Sequence, residues 1–162
     1  MSAEGVARAV RLRLAAELAG ERASLRRLAS SIAELKAPAT EATSVMRTLA
    51  LAFQLERFYT AVESVLSRIL RTVDGDVPVG PDSHVEILLA ASVEVEGLRP
   101  AVLPEDAMTP LRELLGFRHY VRHGYDVAPQ AERIDELATM AVGACDLVER
   151  ALVSFEASLR AS

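Results

Sequence analysis

The chain has 162 residues, enough for one domain with its own hydrophobic core and too few to favour two. With 51% hydrophobic and only 4% aromatic residues, it favours helix packing over a pleated sheet. The formal net charge of −5 argues against broad, non-specific binding to nucleic acid or anionic membranes, and the single cysteine, Cys145, excludes an internal disulfide. No apolar run approaches the ~20 residues of a membrane span, so we expect a cytoplasmic protein that does not enter a membrane.

Two long helices open the chain. From about Ala3 to Ala37, apolar residues recur at steps of three and four, which marks one apolar stripe. Pro38 and its neighbours end that helix, and a second one runs from about Glu41 to Val73. At about 1.5 Å per residue each helix spans roughly 45–50 Å, long enough to run the full length of a helical bundle.

A loop and two shorter helices are predicted next along the chain. The segment from Asp74 to Asp82 contains two prolines and two glycines and is predicted to be a loop. A third helix is predicted from Ser83 to Glu96. Thr109 and Pro110 have the pattern of an N-cap and a first helical residue, so a fourth helix is expected to begin there.

The fourth helix is expected to stop near Gly124, since glycine is the favoured residue just past a helix end. Pro129 is predicted to start the last helix, whose apolar residues keep helical spacing to the end of the chain. We therefore predict an all-α protein, an antiparallel bundle of about five helices forming one domain over residues 1–162.

The stretch FRHYVRHGYDV holds two of the three histidines and two of the three tyrosines. His119 and His123 are four residues apart and share a helix face, which is the spacing of a zinc pair. Tyr120 stands where a metalloprotease motif has glutamate, and no third ligand is evident, so no metal or cofactor is predicted. A solvated basic helix end, placed favourably against the helix dipole, is a further interpretation.

A chemistry other than metal binding is suggested by Arg118, His123 and Tyr125. A neutral imidazole can take the proton from a ribose 2′-hydroxyl, and a guanidinium can bind the phosphate, so the set suits metal-free RNA cleavage. On a regular helix His123 lies roughly 140° round from Arg118, so the two converge only if the helix loosens before Gly124 or a second copy contributes. A symmetric dimer would place two arginines and two histidines around one cleft.

Polar residues outside the FRHYVRHGYDV stretch are also considered for a role in the site. Glu56, Tyr59 and Glu63 are predicted to form a polar stripe on the second helix, where Glu63 can pair with an arginine or orient an imidazole, unless the stripe is only a solvated face. His84 is expected to be a capping or packing residue, and Arg99 a solvated loop residue.

The order of these segments resembles the HEPN superfamily, in particular its HepT-like ribonuclease toxins, over about residues 50 to 135. The resemblance rests on FYTAVE at Phe58–Glu63, His84 followed by ILL, RPAV at Arg99–Val102, and FRHYVRHGYDV at Phe117–Val127. It implies a helical bundle that dimerises through the motif helix. Arg118 and His123 of both chains would then line a metal-independent ribonuclease cleft.

The resemblance also implies a partner and a control mechanism. A minimal nucleotidyltransferase antitoxin would transfer AMP to Tyr125 and block RNA binding. His119 stands where relatives often have asparagine, so it can share the catalytic role, and Arg112 with His119 forms a looser Arg-x6-His match. His119, Arg122, Glu63 and Tyr59 are the expected supporting or phosphate-binding residues.

Two alternatives remain at this stage. One is a non-catalytic helical module of the same superfamily that binds a nucleotidyltransferase or a nucleotide, and the other is a structural dimer or adaptor. Neither alternative predicts cleavage of RNA, whereas the ribonuclease does.

Overall fold

Five α-helices make up most of the computed structural model, which describes residues 2–38, 40–123 and 130–161. The second helix continues into one π-helical turn, Leu70–Asp74. The prediction of an all-α bundle is confirmed, because these ranges contain no β-structure beyond one isolated bridge. The helices are α1 (Ala3–Leu35), α2 (Glu41–Ile69), α3 (Ser83–Ser92), α4 (Glu105–His123) and α5 (Ala131–Ala161).

The three long helices form the frame of the bundle. α1 packs chiefly against α5, while α2 contacts α1, α3, α4 and α5. The apolar stripes seen in the sequence face one another, and Leu18, Phe58 and Leu137 are fully buried. Burying a side chain of this size contributes roughly 1.5–3 kcal/mol, so these stripes account for the association of the helices. None of the helices in the described ranges is long and apolar enough to span a membrane.

The start of α4 differs from the prediction. The helix begins at Glu105, so Thr109 and Pro110 lie inside it rather than at its start. The Pro104 carbonyl accepts the amide hydrogen of Ala107 at 3.1 Å and opens the helix, and acidic residues in the first turn suit the helix dipole. Pro110 removes one backbone hydrogen bond within the helix without ending it.

The third helix is shorter than predicted, ending at Ser92 instead of Glu96. Val93 is extended, with φ −107° and ψ 146°, and the chain then turns through Gly97, which has φ 73°. Glycine adopts that left-handed conformation without steric cost. The turn breaks the helix despite the apolar residues that continue its pattern.

Arg99 is buried, contrary to the expectation of a solvated loop residue, with 5% exposure. Its guanidinium donates to the carbonyls of Ala90 (3.0 Å) and Val93 (2.9 Å) at the end of α3. The same group donates to both carboxylate oxygens of Asp74, at 2.6 and 2.7 Å. Arg99 therefore satisfies carbonyls that the helix end leaves unpaired and joins α3 to the end of α2.

Two predicted helix boundaries cannot be compared in this way. The described part of α4 ends at His123 and α5 begins at Ala131. The predicted stop at Gly124 and the predicted start at Pro129 lie outside the described residues.

Candidate functional site

Three helices bring Glu63, His84 and Arg118 together, one residue from each of α2, α3 and α4. Nδ1 of His84 lies 2.7 Å from Oε2 of Glu63. On the other side of the ring, Nε2 lies 3.2 Å from Nη1 of Arg118. We call this group the Glu63–His84–Arg118 cluster. It joins residues that are far apart in sequence into one continuous hydrogen-bonded row.

Arg118 occupies a core position of α4. It follows Leu111 and Leu114 at helical spacing, and all three side chains are buried. Arg118 is 7% exposed, and its guanidinium carbon lies 6.0 Å from the ring centroid of Tyr59. A charged residue at a position that helical spacing assigns to the core is uncommon, and such residues are usually paired.

The hydrogen bonding of Arg118 is incomplete within the described residues. There, no carboxylate forms an ion pair with it, and its Nε is buried without an acceptor. Its one hydrogen-bond acceptor in this part of the chain is the His84 imidazole, with the Glu63 carboxylate on the far side of that ring. The guanidinium charge is therefore buried next to an imidazole nitrogen and not next to a described carboxylate.

Tyr59 is part of the core rather than of a polar stripe, since it is fully buried. Burial, and next the negative charge of Glu63, raise the pKa of its hydroxyl above the ordinary value of 10.0. The hydroxyl lies close to the Glu63 carboxylate, but not in the geometry of a normal hydrogen bond to it or to any other described residue. Tyr59 therefore contributes its ring to the site, as a wall beside the Arg118 guanidinium.

A second arginine of α4 lies nearer the surface. Arg122 forms an ion pair with Glu56 of α2 at 3.2 Å, and its side chain is 52% exposed. His119 is exposed on the same helix, as is Arg112, the arginine of the looser motif match. Of the three candidate arginines of α4, only Arg118 reaches the cluster.

The structure describes no side chain for two of the predicted site residues. His123 is the last described residue of α4, and its side chain lies outside the description, as does the whole of Tyr125. The catalytic role of His123 and the modification of Tyr125 are therefore untested. No group of three or more histidine, cysteine, aspartate or glutamate residues within 2–38, 40–123 and 130–161 is placed to hold a metal ion.

His84 is the site residue that its local sequence did not reveal. It was expected to cap or pack at the start of α3, whereas it links Glu63 to Arg118. No spacing rule connects three residues on three helices, so the available signal was the place of His84 in the ordered family pattern. Glu63 contacts an imidazole, that of His84, so the interpretation in which it orients an imidazole stays open.

Comparison with known proteins identifies the family. The family model described as HepT-like protein matches residues 50–159, which include all three members of the Glu63–His84–Arg118 cluster. No curated protein and no solved structure matches the chain. The match covers more than half of the sequence and extends the predicted resemblance through most of α5. The chain belongs to the family of HepT-like proteins.

Proposed function

We propose that this protein is a metal-independent endoribonuclease toxin of a toxin–antitoxin pair. Membership of the HepT-like family supports a toxin module of this type. The Glu63–His84–Arg118 cluster supports the chemistry, because it combines a guanidinium, an imidazole and a carboxylate at one place. These groups suffice to bind a phosphate and to move a proton.

The observation that carries the proposal is the state of Arg118. Arg99 is buried to a similar degree, and it is paired with Asp74 through two short hydrogen bonds. Arg118 has no carboxylate partner among the described residues and has one Nε–H without an acceptor. Burying a charge without a counter-ion is costly, so a phosphate that reaches this guanidinium can supply the negative charge and the acceptors that the described residues do not.

The reaction follows from the groups present. Arg118 binds the scissile phosphate and stabilises the charge that gathers on it during attack by the ribose 2′-hydroxyl. His123, at the end of the same helix, takes part in the proton transfers. The product is a 2′,3′-cyclic phosphate, and DNA is not a substrate because it lacks the attacking hydroxyl.

We propose a homodimer, or a higher oligomer built from it, in which the ends of two α4 helices meet. Two copies would place Arg118 and His123 of both chains around one cleft. Arg122 would lie at its edge, where its exposed side chain can extend phosphate binding beyond the scissile bond. The nearby Glu56 would limit the repulsion between the arginines of the two chains.

The experiment that tests this function is RNA cleavage by the purified protein in the presence of EDTA. We expect cleavage by the wild type and a loss of about 10²–10³-fold or more in Arg118→Ala and His123→Ala. Arg112→Ala is the matched control, because Arg112 is an exposed arginine of the same helix. Circular dichroism confirms that each variant is folded.

The outcomes separate the alternatives. Unchanged cleavage in both Arg118→Ala and His123→Ala would remove the catalytic assignment. Loss of cleavage in Arg112→Ala alone would transfer it to the looser motif match with His119. If the wild type cleaves no RNA, the non-catalytic helical module becomes the better description of the chain.

The partner that we propose is a minimal nucleotidyltransferase antitoxin that transfers AMP to Tyr125. The added phosphate and nucleoside would block the cleft by charge and by bulk. With such an enzyme and ATP, intact mass measurement should show the addition of AMP and a loss of RNA cleavage. Tyr125→Phe should remain unmodified and active, whereas modification of that variant would place the acceptor elsewhere.

A further inference from the structure

His84 lies between a carboxylate and a guanidinium, and these two neighbours determine which ring nitrogen carries the proton. A guanidinium has only N–H donors, so Nε2 of His84, at 3.2 Å from Arg118, accepts a hydrogen bond and is unprotonated. A carboxylate only accepts, so Nδ1, at 2.7 Å from Glu63, carries the hydrogen. The ring is therefore a neutral imidazole whose basic nitrogen faces Arg118.

This arrangement is the one that general bases use. A carboxylate on Nδ1 fixes the tautomer and orientation of the ring and stabilises the imidazolium that forms when Nε2 takes a proton. The His84 side chain is 36% exposed, whereas that of Glu63 is 14% exposed. The ring is thus partly open to solvent, while the carboxylate beside it is more shielded from water.

Cleavage of RNA by its own 2′-hydroxyl requires two proton transfers. One group takes the proton of the attacking hydroxyl, and another gives a proton to the departing 5′-oxygen. One imidazole cannot do both in one step, so a second is needed beside His123, and it is either the partner chain's copy of His123 or His84. A phosphate bound to Arg118 takes over the Nη1 hydrogen bond that Nε2 of His84 accepts in its absence, which frees the lone pair of that nitrogen and brings the ribose close to it.

We propose that His84 is the general base of the cleavage reaction and that Glu63 is the residue that positions it. The proposal rests on the ribonuclease function proposed above. Nε2 of His84 takes the 2′-hydroxyl proton, the 2′-oxygen forms its bond to phosphorus, and the bond from phosphorus to the 5′-oxygen breaks. His123, in its protonated form, gives a proton to that oxygen. Exchange with water then returns both rings to their starting states.

A substrate with a sulfur atom in place of the bridging 5′-oxygen tests this division of roles. A thiolate leaves without receiving a proton, so this substrate removes the need for a general acid and keeps the need for a base. His84→Asn is the variant of choice, because its amide can still donate to Glu63 while it has no basic nitrogen. His123→Asn is its counterpart.

We expect His84→Asn to lose about 10²–10⁴-fold in cleavage of both substrates. His123→Asn should lose activity on the oxygen substrate and recover most of it on the sulfur substrate. Glu63→Gln should lower kcat with little change in KM, and Glu86→Gln, which makes the same charge change on the exposed face of α3, should behave as the wild type.

The protonation of the His84 ring can be measured by NMR without RNA, which tests the assignment independently of the kinetics. The ¹⁵N chemical shifts of His84 should show the hydrogen on Nδ1 in the wild type and in Glu86→Gln. Glu63→Gln should shift the tautomer population, because an amide can donate to the ring as well as accept from it. A hydrogen on Nε2 in the wild type would overturn the assignment of His84 as the base.

The kinetic outcomes distinguish this proposal from the ribonuclease function itself. Wild-type rates in a folded His84→Asn, together with an inactive His123→Asn, would leave the ribonuclease function standing and remove His84 from it. Recovery of His84→Asn on the sulfur substrate would make His84 the acid and overturn its role as base. If the wild type cleaves neither substrate, the proposed function fails and this inference fails with it.

Discussion

The Arg118 guanidinium lies over the ring of Tyr59, with 6.0 Å between the guanidinium carbon and the ring centroid. Tyr59 is fully buried, so this cation–π contact is largely screened from water and is worth up to about 2 kcal/mol. The hydroxyl of Tyr59 has no hydrogen bond of normal geometry among the described residues. Tyr59 therefore contacts Arg118 through its ring and not through its hydroxyl.

Tyr59→Phe should therefore keep the fold and the RNA cleavage. We expect its free energy of unfolding in urea at neutral pH to equal that of the wild type or to exceed it by up to about 1 kcal/mol, since a buried hydroxyl without a partner is lost. Tyr59→Ala should lose about 3–5 kcal/mol because it leaves a cavity. A clear loss of stability in Tyr59→Phe would mean that the hydroxyl has a partner.

Tyr59→Phe should also change how the free energy of unfolding depends on pH in the alkaline range. The pKa of Tyr59 is raised in the folded state, chiefly by burial, from its ordinary value of 10.0. A raised pKa gives stability that is complete below pH ~10 and is lost as the pH rises above it, because the unfolded chain then ionises first. The unfolding free energy of Tyr59→Phe should fall less than that of the wild type above pH ~10.

The ion pair of Arg99 and Asp74 is expected to be more sensitive to substitution than an exposed ion pair. Arg99→Ala leaves the half-buried Asp74 carboxylate and the carbonyls at the end of α3 without their donors, so we expect a loss of about 3 kcal/mol in urea unfolding. Arg133→Ala removes an exposed pair with Glu113 and should cost less than about 1 kcal/mol. Equal effects of the two substitutions would contradict this ranking.

Arg47 and Asp135 join α2 to α5 through two hydrogen bonds of 2.8 and 2.9 Å. The Arg47 guanidinium lowers the pKa of Asp135 from its ordinary value of 3.8. A lowered pKa gives stability that is present above that value and is lost as the pH falls through the folded-state pKa. Asp135→Asn should therefore cost about 0.5–1 kcal/mol at neutral pH, and its difference from the wild type should shrink below pH ~4.

If both chains of a dimer contribute to one active site, two inactive variants should complement each other when mixed. Arg118→Ala and His123→Ala should each be inactive, and a mixed dimer of the two should recover part of the RNA cleavage, because one chain supplies the arginine and the other the histidine. Native mass spectrometry measures how much mixed dimer has formed. Mixed dimers without any recovered cleavage would show that the catalytic groups do not combine across the two chains.

The long helices were predictable because their apolar residues repeat over many turns, and each stripe has only one way to be buried. Helix ends were less predictable, because several local signals compete. Thr109 and Pro110 have the pattern of a helix start, yet Pro104 with the acidic residues after it begins α4 earlier. At the end of α3, apolar residues continue the pattern past the point where the chain turns away.

The site was predictable only in part, and the reason is the distance between its members along the chain. Arg118 was found from its local motif, and Glu63 from its place on α2. His84 was assigned to packing because its role depends on how α3 lies against α2 and α4, which no local pattern specifies. Arg99 was misjudged for the same reason, since its burial depends on carbonyls that become unpaired only where α3 ends.

The most direct test of the account uses an RNA whose cleavage site by the wild type has been mapped. The same RNA is then made with a single 2′-deoxynucleotide at that site and incubated with the protein and EDTA. We predict that the unmodified RNA is cut to a 2′,3′-cyclic phosphate, that the deoxy version stays intact at the mapped site, and that Arg118→Ala cuts neither. Cleavage at the deoxy position, or a product with a 5′-phosphate, would contradict attack by the 2′-hydroxyl.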